Sequence, residues 1–165
     1  GGGRAELIAR LTSDGIAILD RYVWSTIAHQ LSTDATFDEI IGMLFGSYIL
    51  PNKSVILTCN PKVARQRSSA RYRAEGRPID DLYDLEKRAN GFITLVDYNC
   101  IPNMYHYDTT KLSEYELAIS VADNVIGEYL EPETKKAMLD YIKDKYEGRE
   151  DNEVENGSGW SQQII

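Results

Sequence analysis

The chain has 165 residues, 42% hydrophobic and 27% charged, with a formal net charge of −8; that is one globular domain with enough apolar residues for a core. So acidic a balance argues against general affinity for nucleic acid or anionic membrane, both of which need a basic face. No apolar run approaches the ~18 residues of a membrane span, and the two cysteines, Cys59 and Cys100, lack metal-ligand or disulfide spacing, so a reducing, cytoplasmic setting is expected.

Residues 4–12, RAELIARLT, place Leu7, Ile8 and Leu11 on one face of a short helix that Gly15 closes. IAIL at 16–19 is short, continuous and apolar, which predicts a strand buried on both faces. Residues 22–31 read as helix. A third helix is expected over 34–50, capped by Asp34 or Thr36 and ended before Pro51. KSVILTC at 53–59 reads as another buried strand. Asn60-Pro61 then supplies an N-cap and a proline at the first helical position.

An arginine-rich helix follows to about Glu75, GRPIDD interrupts it, and a further helix covers 81–98. NMYHYDTT at 103–110 predicts a third strand. Ser113 caps an amphipathic helix over 112–130, and Pro132 opens a last helix to Tyr146. From 148 to 165 the tail is acidic and rich in Gly and Ser, so disorder is expected there. Buried strands alternating with helices imply an α/β layer fold over 1–147 with a mostly parallel sheet. Ligands of such sheets sit beyond the carboxyl ends of the strands.

Two constellations stand near such ends. The first is DRYVWSTIAHQ, residues 20–30. Asp20 and Arg21 point to opposite sides if the strand continues, so they need not neutralise each other. Thr26, His29 and Gln30 follow at helical spacing, near one face, with Ser25 beside them. Polar groups in this number beside a buried strand suit a ligand with a charged end and a polar, flat end. The second constellation is ARQRSSARYRAEGRP, which holds Arg65, Arg67, Arg71, Arg73 and Arg77, five of the chain's ten arginines. No lysine occurs between Lys62 and Lys87, and arginine is the residue for bidentate phosphate contacts. Arg67 and Arg71 share a face, and Gly76-Arg77-Pro78 looks like the hinge of a lid spanning about 65–90. His106, inside a strand pattern, reads as structural.

Together these stretches resemble the thymidylate kinase family of P-loop nucleoside monophosphate kinases, over about residues 4–130. DRYVWSTIAHQ is similar to the family signature in which Asp-Arg-(Tyr/Phe/His) precedes a Ser-Thr or Ser-Asn pair and then Ala-Tyr-Gln. PNKSVILTCNPKVARQR resembles the next strand and its exit, RQRSSAR the lid, and YHYDTTKLSEYELAISVADNVI the last strand and helix. The resemblance implies a three-layer P-loop kinase fold and ATP-dependent phosphorylation of a pyrimidine deoxynucleoside monophosphate, dTMP first. It implies that Asp20 holds Mg²⁺ through water and that Arg21 binds the acceptor phosphate, with Arg4 a second contact. It implies that Ser25, Thr26, His29 and Gln30 meet the base and sugar, and that Phe92 lies over the substrate. Arg65, Arg67, Arg71, Arg73 and Arg77 become lid residues that neutralise the donor phosphates.

The chain departs from the family in two ways. It holds no G-x-x-x-x-G-K-[ST] loop to cradle the donor phosphates, so the expectation is that an N-terminal strand bearing it is missing. His29 and Phe92 stand where the family has Tyr. The alternatives are a non-catalytic nucleotide-binding or scaffold protein derived from a kinase, and a deoxynucleoside kinase. The expected partners are nucleotide substrates and a second copy in a homodimer, with no nucleic acid and no membrane.

Overall fold

The sequence VWSTIAHQL places Val23, Trp24, Ile27 and Ala28 on one stripe, and these residues form the buried face of α1, Val23–Leu31. The structure is a computed structural model that describes Glu6, residues 15–31, Thr33, 36–44 and 48–147. Arg4, the expected first helix and the tail from 148 lie outside the described residues. After α1 comes α2, Phe37–Leu44. Of its two candidate caps Thr36 is described: its carbonyl accepts from Ile40, and Glu39 accepts from the Thr36 N–H at 3.1 Å. That bond holds the Glu39 carboxyl below its usual range.

Strand β1, Ser54–Thr58, pairs in parallel with β2, Met104–Asp108, with Ser54 opposite Met104 and Thr58 opposite Asp108. Between them lie α3, Pro61–Ala74, and α4, Leu82–Asp97. The caps fall where residue chemistry puts them. The Asn60 side chain accepts from the Lys62 N–H at 2.9 Å, and Asp81 accepts from the Tyr83 N–H at 2.7 Å. α3 ends in a Schellman stop: Gly76 takes φ 67°, its N–H bonds the Arg73 carbonyl, and the Arg77 N–H bonds the Tyr72 carbonyl at 2.8 Å. The last elements are α5, Glu114–Val121, opened by a reciprocal Ser113–Glu116 capping box, and α6, Pro132–Tyr146.

The chain is therefore mixed α/β, with six helices and a two-stranded parallel sheet among the described residues. Helices cover both faces of the sheet. On one, Ile56 joins Val23, Trp24, Ile27, Ala28, Ile40, Leu95 and Ile101 in the core, and the Trp24 indole N–H donates to the Ser54 hydroxyl at 2.9 Å. On the other, the Tyr107 hydroxyl meets that of Ser120 at 2.9 Å. Ile27 and Leu95 are fully buried, each contributing about 1.5–3 kcal/mol of apolar transfer. α1 and α4 approach closely at Gly91: a Cβ there would overlap the Ala28 carbonyl oxygen and stand 3.0 Å from its carbon.

Three expectations are corrected. Residues 16–19 do not form a strand; they run without ladder bonds, and Ile16 and Ile18 are 47% and 74% exposed. Apolar composition makes a strand only where a neighbour meets its backbone groups, and among the described residues β1 pairs with β2 alone. The helix expected over 112–130 changes character after Val121, through a π turn, Ala122–Ile126, and a 3₁₀ turn, Gly127–Tyr129. Lys53 meets this stretch: its ammonium donates to the Val125 carbonyl at 2.9 Å and pairs with Glu128 at 2.7 Å. A side chain drawn into the helical ladder shifts its bonding. The helix expected over 34–50 is described only as Phe37–Leu44, with Tyr48–Leu50 non-helical.

Candidate functional site

The backbone of Arg21 is left-handed, at φ 59°. A side chain with a Cβ pays about 1–2 kcal/mol for that conformation, and the strain sits at the mouth of an open groove of about 400 Å³. Arg21 and Tyr22 form its rim, and Ser25, Thr26 and His29 line it from the first two turns of α1. Tyr48 closes the far side, its ring meeting the Tyr22 ring edge-on at a centroid distance of 5.8 Å. The same helix that buries Trp24, Ile27 and Ala28 thus turns Thr26 and His29 to solvent. Arg21 precedes α1 by two residues, at the end of the helix that carries the positive pole of its dipole.

Four of the expected residues fall together here: Arg21, Ser25, Thr26 and His29. Asp20 is exposed one residue before the rim. Gln30 is exposed but does not line the groove; its carbonyl accepts from the N–H and hydroxyl of Thr33 at 3.0 and 2.8 Å. Phe92 does not lie over the groove either. It follows Gly91 on α4 and packs, half-buried, against the core. Tyr22 and Tyr48 are groove residues that the sequence does not announce, because nothing local marks Tyr48 as a neighbour of Arg21.

The arginine helix is divided between two faces. Arg67 points at the carboxyl ends of the strands. It donates to the Thr109 carbonyl at 2.8 Å, the Thr110 carbonyl at 3.2 Å, the Thr109 hydroxyl at 3.3 Å and the Cys59 sulfur at 3.4 Å. Burial pulls its pKa down, opposed by Cys59 and Asp108. Arg71 and Arg77 lie over Tyr72, with guanidinium carbons 4.9 and 4.5 Å from the ring centroid, and Arg77 also pairs with Glu75 at 3.2 Å. Arg65 and Arg73 are on the opposite, exposed face of α3.

Around Arg67 the strand ends are tied into one network. The Asp108 carboxylate accepts from the Thr110 hydroxyl at 2.6 Å and from its N–H at 3.0 Å, which holds it below its ordinary range, with His106 and Arg67 adding smaller effects. The Thr110 hydroxyl in turn accepts from the Asn60 N–H at 2.9 Å, and Thr58 shares a 2.8 Å hydrogen bond with His106. Among the described residues no group of three His, Cys, Asp or Glu is placed to hold a metal ion. No family model, no curated protein and no solved structure matches the chain.

Proposed function

We propose that the chain carries the acceptor side of a phosphoryl-transfer site of the thymidylate kinase type, which phosphorylates a pyrimidine deoxynucleoside monophosphate, dTMP to dTDP, with ATP as donor. The observation that carries this reading is Arg21: an arginine held in strained, left-handed backbone at φ 59° on the rim of a groove. Strain of this kind persists where the surrounding structure over-determines it, and it clusters at functional sites. Phosphoryl transfer asks a protein mainly for positioning and positive charge. Arg21 and the N-terminus of α1 offer that charge to the acceptor phosphate. Ser25, Thr26 and His29, one and two turns further, offer hydrogen-bonding groups to base and sugar, with Tyr48 as an apolar wall. On this reading β1 and β2 belong to a larger parallel sheet of the P-loop kinase fold.

A hydrated Mg²⁺ needs only one protein carboxylate when substrate phosphates supply the rest, and Asp20, exposed beside Arg21, suits that mode. The ion would neutralise phosphate charge. The second reading, nucleotide binding without turnover, draws support from Arg67, whose guanidinium is occupied by the Thr109 and Thr110 carbonyls.

The test is titration of the protein with dTMP and with thymidine, followed by an ADP-release assay with Mg-ATP. Arg21→Ala is expected to weaken dTMP binding by about 2–4 kcal/mol, as for a lost charge-assisted contact, and to leave thymidine unaffected. Equal binding of dTMP by both proteins overturns the acceptor assignment. dTMP binding without ADP release is expected of both readings, because the chain holds no G-x-x-x-x-G-K-[ST] loop; ADP release restored by adding a segment that bears such a loop favours the first, its continued absence the second, and ADP release with thymidine a nucleoside kinase.

A further inference from the structure

Among the described residues, strand β2 pairs with β1 along one side only. The register fixes which of its main-chain groups that side uses. The Ser54 N–H donates to the Asn103 carbonyl and the Thr109 N–H to the Thr58 carbonyl, with Ser54 opposite Met104 and Thr58 opposite Asp108. In a parallel ladder of this phase Tyr105 and Tyr107 turn their N–H and C=O groups to β1, and Met104, His106 and Asp108 turn theirs to the outer edge. Among the described residues those outward N–H and C=O groups have no main-chain partner. Exposed edges are ordinarily blunted by lysine or proline. MYHYD holds neither, and His106 and Asp108 are exposed.

The strand is complementary to a second copy of itself. A two-fold axis through His106 sets two such strands antiparallel and overlaps all of Met104–Asp108, which no other centre does. Outward residues then meet outward residues: His106 opposite His106, and Met104 opposite Asp108 of the second copy. These are pairs of the hydrogen-bonded kind, so every open N–H on either edge meets an open C=O. Tyr105 falls opposite Tyr107 of the second copy, twice, as close pairs in which cross-strand aromatics stabilise each other. Within the chain the Tyr107 hydroxyl is held by Ser120, and the Lys53 ammonium stands 5.6 Å from the Tyr105 ring centre, so both rings are already oriented. On the other face each Asp108 carboxylate lies diagonal to His106 of the other copy, which sets opposite charges together twice when His106 is protonated. We propose that the outer edge of β2 is the interface of a two-fold dimer, in which the β2 strands of two copies pair antiparallel about His106 and join the two sheets into one. The contact is isologous, so it uses up both β2 edges. It involves no residue of the Arg21 groove and stands without the phosphoryl-transfer reading.

The experiment joins sedimentation to amide hydrogen exchange on the full chain, at about 0.15 M salt to screen the repulsion between copies of net charge −8. Sedimentation is expected to show a monomer–dimer equilibrium. Exchange is then followed above and below its midpoint. The Met104, His106 and Asp108 N–H groups are expected to exchange at least about tenfold more slowly in the dimer, and those of Tyr105 and Tyr107, bonded within the β1–β2 ladder, to be slow in both states. His106→Lys sets two ammonium groups directly opposite each other at the axis and is expected to weaken association at least about tenfold. That variant also gives up the bond to Thr58, so a thermal melt establishes that it folds; if it does not, the exchange pattern of the wild type decides alone. A monomer at every concentration up to about 1 mM overturns the proposal. A dimer whose three outer N–H groups exchange as fast as in the monomer overturns it, because the contact then lies elsewhere. Outer N–H groups already slow in the monomer overturn it as well, since the edge is then covered within one chain, and so does undiminished association of folded His106→Lys.

Discussion

Arg67 holds the end of β2 by its main chain: its guanidinium donates to the Thr109 carbonyl at 2.8 Å and to the Thr110 carbonyl at 3.2 Å. The residue therefore fixes the Thr109-Thr110 turn against α3, and Thr109 in turn donates its N–H to the Thr58 carbonyl at 2.8 Å. Arg67→Ala is expected to cost about 2–4 kcal/mol of stability by leaving these carbonyls short of their charged donor. Arg67→Lys should recover only part of it, since one ammonium cannot reproduce the fork. Thermal melts of both variants check this; an unchanged midpoint in the alanine variant would return Arg67 to a lid role.

Gly91 sets the distance between α1 and α4. A Cβ there would overlap the Ala28 carbonyl oxygen, and a backbone atom gives way less easily than the tip of a side chain. Gly91→Ala is expected to destabilise by about 1–3 kcal/mol, despite the higher helix propensity of alanine. Because α1 also carries Ser25, Thr26 and His29, the variant should weaken dTMP binding as well. Chemical denaturation and a binding titration on the same sample measure both effects.

The left-handed Arg21 allows strain to be separated from function. Arg21→Gly and Arg21→Ala delete the same guanidinium, but only glycine adopts φ 59° at no steric cost. The glycine variant is expected to be more stable than the alanine variant by about 1 kcal/mol, and both should lose dTMP binding alike. Denaturant midpoints that place alanine at or above glycine would remove the strain argument.

Asp108 links stability to acid. Its carboxyl is held below its ordinary value of 3.8 by the hydroxyl and N–H of Thr110, with smaller help from His106 and Arg67. A depressed folded-state pKa gives a contribution that is fully present above the unfolded value and is lost as pH falls through the folded one. Wild type should therefore lose stability relative to Asp108→Asn as pH is lowered below about 4, with a constant difference between about pH 5 and 7. Denaturation midpoints across that range test it. Parallel curves down to about pH 2 would mean that the Thr110 bonds do not persist in solution.

Where the chain's local chemistry is strong, its elements are legible in the residues themselves. Asn60, Asp81 and Ser113 with Glu116 each begin a helix where their caps place it, because a cap acts on backbone groups two or three residues away, and Pro132 begins one as a proline at the first helical position. SVILT and MYHYD form strands, since these β-branched and aromatic runs have each other to pair with. The run IAIL has the same apolar character but lacks a partner among the described residues, and a strand is a property of the pair.

What the sequence determined by itself was where the helices opened by Asn60-Pro61, Asp81, Ser113 and Pro132 begin, the parallel pairing of two strands, and the gathering of Arg21, Ser25, Thr26 and His29 on a turn and the helix it opens. Each depends on contacts within a few residues or on a simple alternation of strand and helix, so spacing suffices to read it. Only the tertiary structure decided that Tyr48 walls the groove, that Phe92 belongs to the core, and that Arg67 grips Thr109 while Arg65 and Arg73 face solvent. It also decided that Lys53 reaches the Val125 carbonyl, across 72 residues of sequence. Such choices turn on which distant backbone groups need a partner when the layers close, and a buried carbonyl takes whichever donor the packing brings within reach.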